Sequence, residues 1–235
     1  MKGKHMEMYT ERLYPVDRDP AFWGQFFGEV EFIYDNTSNF QHIQVFESKS
    51  WHGRVLVLDD IVQLTAEGNH PYHEMIVNPA IFLHGKVKNV LVIGAGDGGV
   101  IKELFRHTTI ETVTMVEIDQ MVIDVSKEYF PQICERAFDD SRLNLQIADG
   151  RTFVEHCKET FDLIIVDSTD PIGPGAELFT EEFYQHCHRL LGDAGILITQ
   201  NGVPRLQGQE LTNSVAFMSN LFEYATCYLG DMPDY

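Results

Sequence analysis

The sequence predicts an α/β fold, a parallel sheet of nucleotide-binding type preceded by a small antiparallel sheet, and three features carry that prediction. From Asn89 the chain reads NVLVIG, a strand pattern buried on both faces, followed at once by a glycine loop and a helical stretch, VIKELFRH. Beyond it, buried strand runs alternate with amphipathic helical stretches as far as Gln200, the rhythm that a parallel sheet requires. Ahead of it, short runs alternate apolar with polar side chains between Asn, Ser, Gly and Asp, the rhythm of antiparallel hairpins.

Taken in order, residues 1–20 are expected to be an N-terminal tail and residues 21–69 a β-sheet domain built from EVEFIYDN, NFQHIQVFES, RVLVLDD and IVQLT. The pair Asp59-Asp60 marks a hairpin turn between the last two strands. HPYHEMIVNPAIFL, residues 70–83, spaces Met75, Ile76, Ala80 and Leu83 as a helix does, with Pro79 as its candidate kink. Residues 70–235 then form the nucleotide-binding unit. Its glycine loop, GAGDGG, uses Gly94, Gly96 and Gly98 to turn the backbone sharply and bring it close to a ligand. TVTMVEID is the second strand and ends in Glu117, roughly twenty residues after the loop, where this architecture places a carboxylate on ribose hydroxyls. LNLQIADG is the third and ends at Asp149 and Gly150, a position suited to meet an adenine ring. FDLIIVDSTDPIGPG is the fourth, ending in Asp167 and Asp170, and GILITQNG is the fifth. A further helix, GQELTNSVAFMSNLF, and a further strand, YATCYL, are expected before the chain stops at Tyr235.

Charge narrows the ligand. Asp97 stands inside a loop that elsewhere receives pyrophosphate, and its repulsion makes NAD, FAD and ATP poor candidates. Asp97, Glu117, Asp149, Asp167 and Asp170 all fall at the carboxyl ends of consecutive strands, where such sheets bind ligands. Gathered acids repel one another unless something cationic binds among them. The formal net charge is −19, with 17 Lys and Arg against 36 Asp and Glu, which argues against nucleic acid and anionic membranes as partners. Cys134, Cys157, Cys187 and Cys227 show no C-x-x-C spacing, so reduced thiols and no metal are expected. No run of eighteen apolar residues occurs and MKGKHMEMYTERLYP lacks the apolar stretch of a secretory signal; a cytoplasmic protein is expected.

The motifs YHEM (72–75), VLVIGAGDGG (90–99), VEID (116–119), ADG (148–150), DSTDPIGP (167–174) and QNG (200–202) together resemble those of the spermidine synthases, the polyamine aminopropyltransferases, over nearly the whole length. The resemblance implies the Rossmann-like sheet of S-adenosylmethionine-dependent transferases behind a small N-terminal antiparallel sheet, with 70–235 as the catalytic domain. It also implies transfer of an aminopropyl group from decarboxylated S-adenosylmethionine, as co-substrate, to putrescine, with no cofactor or metal, in a homodimer. By the same resemblance Asp167 is the base that deprotonates the attacking amine, and Asp170 and Asp97 hold amino groups. His73 and Tyr72 contact the polyamine. Gln41, Gln63, Gly94, Gly96, Asp97, Glu117, Asp149, Gly150 and Pro174 contact the donor and its product methylthioadenosine. Asp97 also acquires a discriminating task, because ordinary S-adenosylmethionine carries a carboxylate that Asp97 repels.

Two rivals remain open on the sequence. An S-adenosylmethionine-dependent amine methyltransferase uses the same sheet, though it needs room for the methionine carboxylate and Asp97 speaks against it. A catalytically inactive polyamine-binding homologue is the other. Members of the resembled family run several dozen residues past the position of Tyr235, adding a final strand and helical segments.

Overall fold

The computed structural model describes residues 7–11, 25–49, 53–169, 173–201 and 207–230, and contacts divide the chain into a unit ending at Pro71 and a second unit, Tyr72–Gly230. The first unit is a five-stranded antiparallel meander in sequential order: β1 (Glu7–Thr10), β2 (Phe26–Thr37), β3 (His42–Ser48), β4 (Arg54–Leu58) and β5 (Ile61–Thr65). Asp59 and Asp60 have φ of 49° and 67°, the paired left-handed conformation of a two-residue hairpin turn, and Leu58 faces Ile61 across it. One face is aromatic and buried, with the Tyr9 ring 5.0 Å from that of Phe46 and Phe27 5.4 Å from Phe46.

Two expectations are corrected here. The segment 1–20 is not all tail, because Glu7–Thr10 pairs with β2. MEMYTE is too short to declare itself as a strand; what holds it is Tyr9, buried among Phe27, Phe32 and Phe46 and donating its hydroxyl to the Asp60 carbonyl at 2.5 Å. Gln41 lies in the turn between β2 and β3, where Ser38 N donates to its carbonyl at 2.9 Å, rather than within a strand.

The chain passes into the second unit through α1 (His70–His84), which is continuous through Pro79. There follow β6 (Asn89–Gly94), α2 (Gly99–Phe105), β7 (Thr112–Glu117), α3 (Gln120–Tyr129), α4 (Pro131–Cys134), β8 (Leu143–Ile147), α5 (Gly150–His156), β9 (Phe161–Asp167), a 3-10 segment (Gly173–Phe179), α6 (Glu181–Leu190), β10 (Leu191–Thr199) and α7 (Gly208–Leu221). The five strands are parallel in the order β10-β9-β6-β7-β8, so the chain reverses its direction of travel across the sheet between β6 and β9. Ligands in such sheets bind at that reversal, beyond the carboxyl ends of the strands. Both sheet faces are covered. Val90, Val92, Met115, Leu163 and Ile165 pack with α1 and α2 residues, while Leu91, Ile93, Ile164 and Val166 pack with Phe183, Tyr184 and Leu190 of α6.

YATCYL does not form the expected strand: residues 224–229 have no regular structure, and Tyr224 and Leu229 are exposed. An alternating pattern makes a strand only where a ladder partner is present, and this segment is instead tied to α1 by Tyr228, whose hydroxyl donates to the Met75 carbonyl at 2.7 Å. Among the described residues all four cysteines are free thiols, and no helix is long and apolar enough to cross a membrane.

Candidate active site

The sheet reversal brings the ends of β6 and β9 side by side, with Gly94 directly opposite Asp167. Glycine is required at 94. Its φ is +84°, and a Cβ there would stand 2.0 Å from the Asp167 carbonyl oxygen, which accepts a hydrogen bond from Ala95 N at 2.9 Å. The chain therefore leaves β6 in a turn pressed against the end of β9, and Asp97 is delivered three residues later beside Asp167. Ala95 also has a left-handed φ of 65°, an unfavourable conformation for a side chain that occurs most often at functional sites.

Two carboxylates are held here by the first turns of α1. Tyr72 donates its hydroxyl to Asp167 Oδ1, in a short hydrogen bond, and its ring meets that of His73 edge to face at 5.5 Å. His73, 2% exposed, places Nε2 3.3 Å from Asp97 Oδ2, while Asp97 Oδ1 accepts from Gly99 N at 2.6 Å. Burial alone would push the Asp97 carboxyl up. The charge and hydrogen bond of His73, with the Gly99 N–H, outweigh it and hold Asp97 below its ordinary value. Burial likewise pulls the His73 imidazole down, but Asp97, together with Asp167 and Glu103, raises it above its ordinary value, so the two shifts together favour the charged pair. Asp167 behaves oppositely: burial first, and then the Asp97 charge, push it up to about 6, against the Tyr72 hydrogen bond and His73.

Glu117, at the end of β7, is 7% exposed and is pushed up to about 7 by burial, against the Asp119 N–H, with the Asp119 and Asp167 charges also raising it. Its Oε1 accepts from Asp119 N at 2.9 Å, and its Oε2 lies 3.1 Å from where a Cβ on Gly96 would stand, so it adjoins the glycine loop. Asp149 is exposed beyond β8 and caps α5, accepting from Thr152 N at 2.6 Å. Gly150 is buried where a Cβ would come within 2.5 Å of Ile93 Cγ2, so α5 starts directly against β6. The Asp97 charge thus acts on Asp167 and the Asp167 charge on Glu117, which joins the three carboxylates electrostatically, with Asp149 at the same sheet edge. Among the described residues the only ion pair made by any of these four is Asp97 with His73.

Gln63 lies on β5 and Gln41 in the β2 to β3 turn, both in the first unit. Asp170 lies outside the described residues, and so does the side chain of Pro174, whose backbone belongs to the 3-10 segment. Sequence reasoning assigned no role to Gln200, although QNG stood among the quoted motifs. Its N–H donates to Val166 O at 3.0 Å at the end of β10, one position from Asp167, and among the described residues its side-chain oxygen is buried without a hydrogen-bond partner. A buried acceptor without a partner suits a ligand that brings N–H donors.

Known proteins resemble this chain over most of its length. A family model described as the spermine/spermidine synthase domain matches residues 69–235, and one described as the spermidine synthase tetramerisation domain matches residues 30–66. A polyamine aminopropyltransferase of Ruegeria sp. is 49% identical over 226 residues, 96% of this chain and 79% of that protein. Another from Pseudomonas syringae pv. tomato is 44% identical over 230 residues, 98% of this chain and 78% of that one. Among solved structures, a spermidine synthase in complex with the transition-state analogue AdoDATO superposes with a TM-score of 0.91 at 35% identity, covering 99% of this chain and 77% of the other. The spermidine synthase from Thermotoga maritima gives 0.89 at 35% identity, covering 99% and 76%.

Proposed function

The chain belongs to the spermine/spermidine synthase family and is a polyamine aminopropyltransferase, and from that premise we propose that it moves the aminopropyl group of decarboxylated S-adenosylmethionine to putrescine. The observation that carries the proposal is that Asp97, in the loop after β6, and Asp167, at the end of the neighbouring β9, are half-buried side by side with no arginine or lysine ion-paired to either among the described residues. Such a pair is a receptor for ammonium groups.

In the proposed reaction the putrescine ammonium gives one proton to Asp167, because an ammonium has no lone pair with which to attack. The freed lone pair forms a C–N bond at the aminopropyl carbon attached to the sulfonium. The C–S electron pair returns to sulfur and leaves neutral methylthioadenosine, and spermidine is the other product. A carboxyl pushed up to about 6 is ionised at neutral pH yet basic enough to take the proton, and the Tyr72 hydroxyl holds it in place. The displacement is redox-neutral and the sulfonium is its own leaving group, so the step balances without a metal or an electron carrier.

Asp97 is assigned to the donor's aminopropyl ammonium, Glu117 to the ribose hydroxyls, Asp149 and Gly150 to the adenine, and Gly94 and Gly96 to close backbone approach. Tyr72, His73 and Asp170 are assigned to the polyamine, and Gln41, Gln63 and Pro174 to the nucleoside. Gln200 joins the polyamine group through its idle acceptor. The match of residues 30–66 supports a homo-oligomer, of which the homodimer is the smallest form.

The test is incubation of the protein with putrescine and, separately, each donor. Spermidine and methylthioadenosine are expected from the decarboxylated donor alone. Methylated putrescine from S-adenosylmethionine, without spermidine, would overturn the proposal in favour of a methyltransferase.

A further inference from the structure

Two glycines stand between Asp97 and the body of α2, and they serve different ends. Gly98, with φ of +79°, is glycine because its backbone is left-handed. Gly99 opens the helix itself, outside the left-handed region, where alanine would be the better helix former. Its backbone gives no reason for glycine. Its surroundings do: a Cβ on Gly99 would stand 2.2 Å from Cε1, 2.3 Å from Nε2 and 2.5 Å from Nδ1 of His73, three atoms of one buried imidazole. The ring is 2% exposed, meets Tyr72 edge to face and holds its Nε2 against Asp97, so a side chain at position 99 would collide with a ring already engaged on other sides.

We propose that Gly99 is a positioning residue for aminopropyl transfer: its missing side chain seats the His73 imidazole, and the seated ring fixes Asp97 for the incoming amine. The same residue acts on Asp97 from the other side, because its own N–H donates to Asp97 Oδ1 while His73 holds Oδ2. Gly99 thereby sets both oxygens of the carboxylate, one through the backbone and one through the ring. Alanine at this position retains the N–H and removes only the seat. The proposal rests on Asp97 being the amine receptor. The charged and titratable groups facing His73 are Asp97 from the glycine loop, Glu103 from α2, Asp167 from β9 and Tyr72 from its own helix.

The experiment is a double-mutant cycle of Gly99→Ala and His73→Ala in the full chain, read by steady-state transfer rates and by an NMR titration of the His73 imidazole. Gly99→Ala is expected to lower kcat/KM by about tenfold or more, the effect of a misplaced binding group, and to move the His73 titration down towards that of a free imidazole. In the His73→Ala background the same change is expected to have no further effect. If Gly99→Ala alone does not fold, the double variant, freed of the collision, is expected to fold. An equal loss of rate in both backgrounds, an unmoved His73 titration, or failure of the double variant to fold would each overturn the proposal. The imidazole titration needs no turnover, so it decides the role of Gly99 even if the wild type transfers no aminopropyl group, a result that would count against the function alone.

Discussion

Replacing Asp167 by Asn is expected to lower kcat by about two to four orders of magnitude, the usual size of a general-base contribution, while methylthioadenosine still binds. Asparagine keeps the shape of the side chain and an oxygen for the Tyr72 hydroxyl, but it cannot take a proton from the ammonium. The pH profile gives the same residue a second signature. Asp167 is raised to about 6 by burial and by Asp97, and only its ionised form accepts a proton. In the wild type, kcat/KM should therefore fall as pH drops through about 6, and the residual activity of Asp167→Asn should lack that limb. Steady-state rates across pH, with thermal-shift binding of methylthioadenosine as the folding check, measure both. A variant that retains wild-type turnover would remove Asp167 from the chemistry.

Replacing Asp97 by Asn is expected to reduce kcat/KM for the decarboxylated donor by about two to three orders of magnitude. Breaking a buried charge pair by removing one partner costs about 3–5 kcal/mol, and here the buried His73 loses the carboxylate it is paired with. The same change should narrow the preference for the decarboxylated donor over S-adenosylmethionine, because the charge that repels the methionine carboxylate is gone. It should also move the acid limb to lower pH, since the Asp97 charge is one of the causes that raise Asp167. Rates with both donors at several pH values test all three effects. Unchanged discrimination between the donors would contradict the assigned role of Asp97.

The parallel sheet was legible through its central strands β6 and β9, continuous apolar runs closed by a glycine and an acid, NVLVIG and FDLIIVD, and buried strands leave that trace. The Asp59-Asp60 turn was legible for a different reason, as aspartate tolerates the left-handed backbone that a two-residue hairpin imposes. Strand β1 was not, since its hold depends on Tyr9 meeting rings from Phe27 to Phe46 that no local pattern announces. YATCYL misled in the opposite direction, for an alternating run carries no information on whether a neighbouring strand exists.

The site divides along the same line. That acids gather at one sheet edge followed from their positions at strand ends. Which acid meets which partner did not, because Tyr72 and Asp167 are 95 residues apart and His73 and Asp97 are 24 apart, on elements whose approach is set by packing. Gly99 passed for one more loop glycine. Its signal in the sequence was faint: a glycine placed where a helix gains from alanine.

The central claim is that Asp97 and Asp167 together form a receptor for amine cations. Calorimetric titration of spermidine, which carries both the aminopropyl and the aminobutyl amines, into the protein saturated with methylthioadenosine tests it most directly. Saturable binding by the wild type, weakened in Asp97→Asn and in Asp167→Asn and lost in the double variant, is the expected result; a double variant that binds spermidine as tightly as the wild type would contradict the claim.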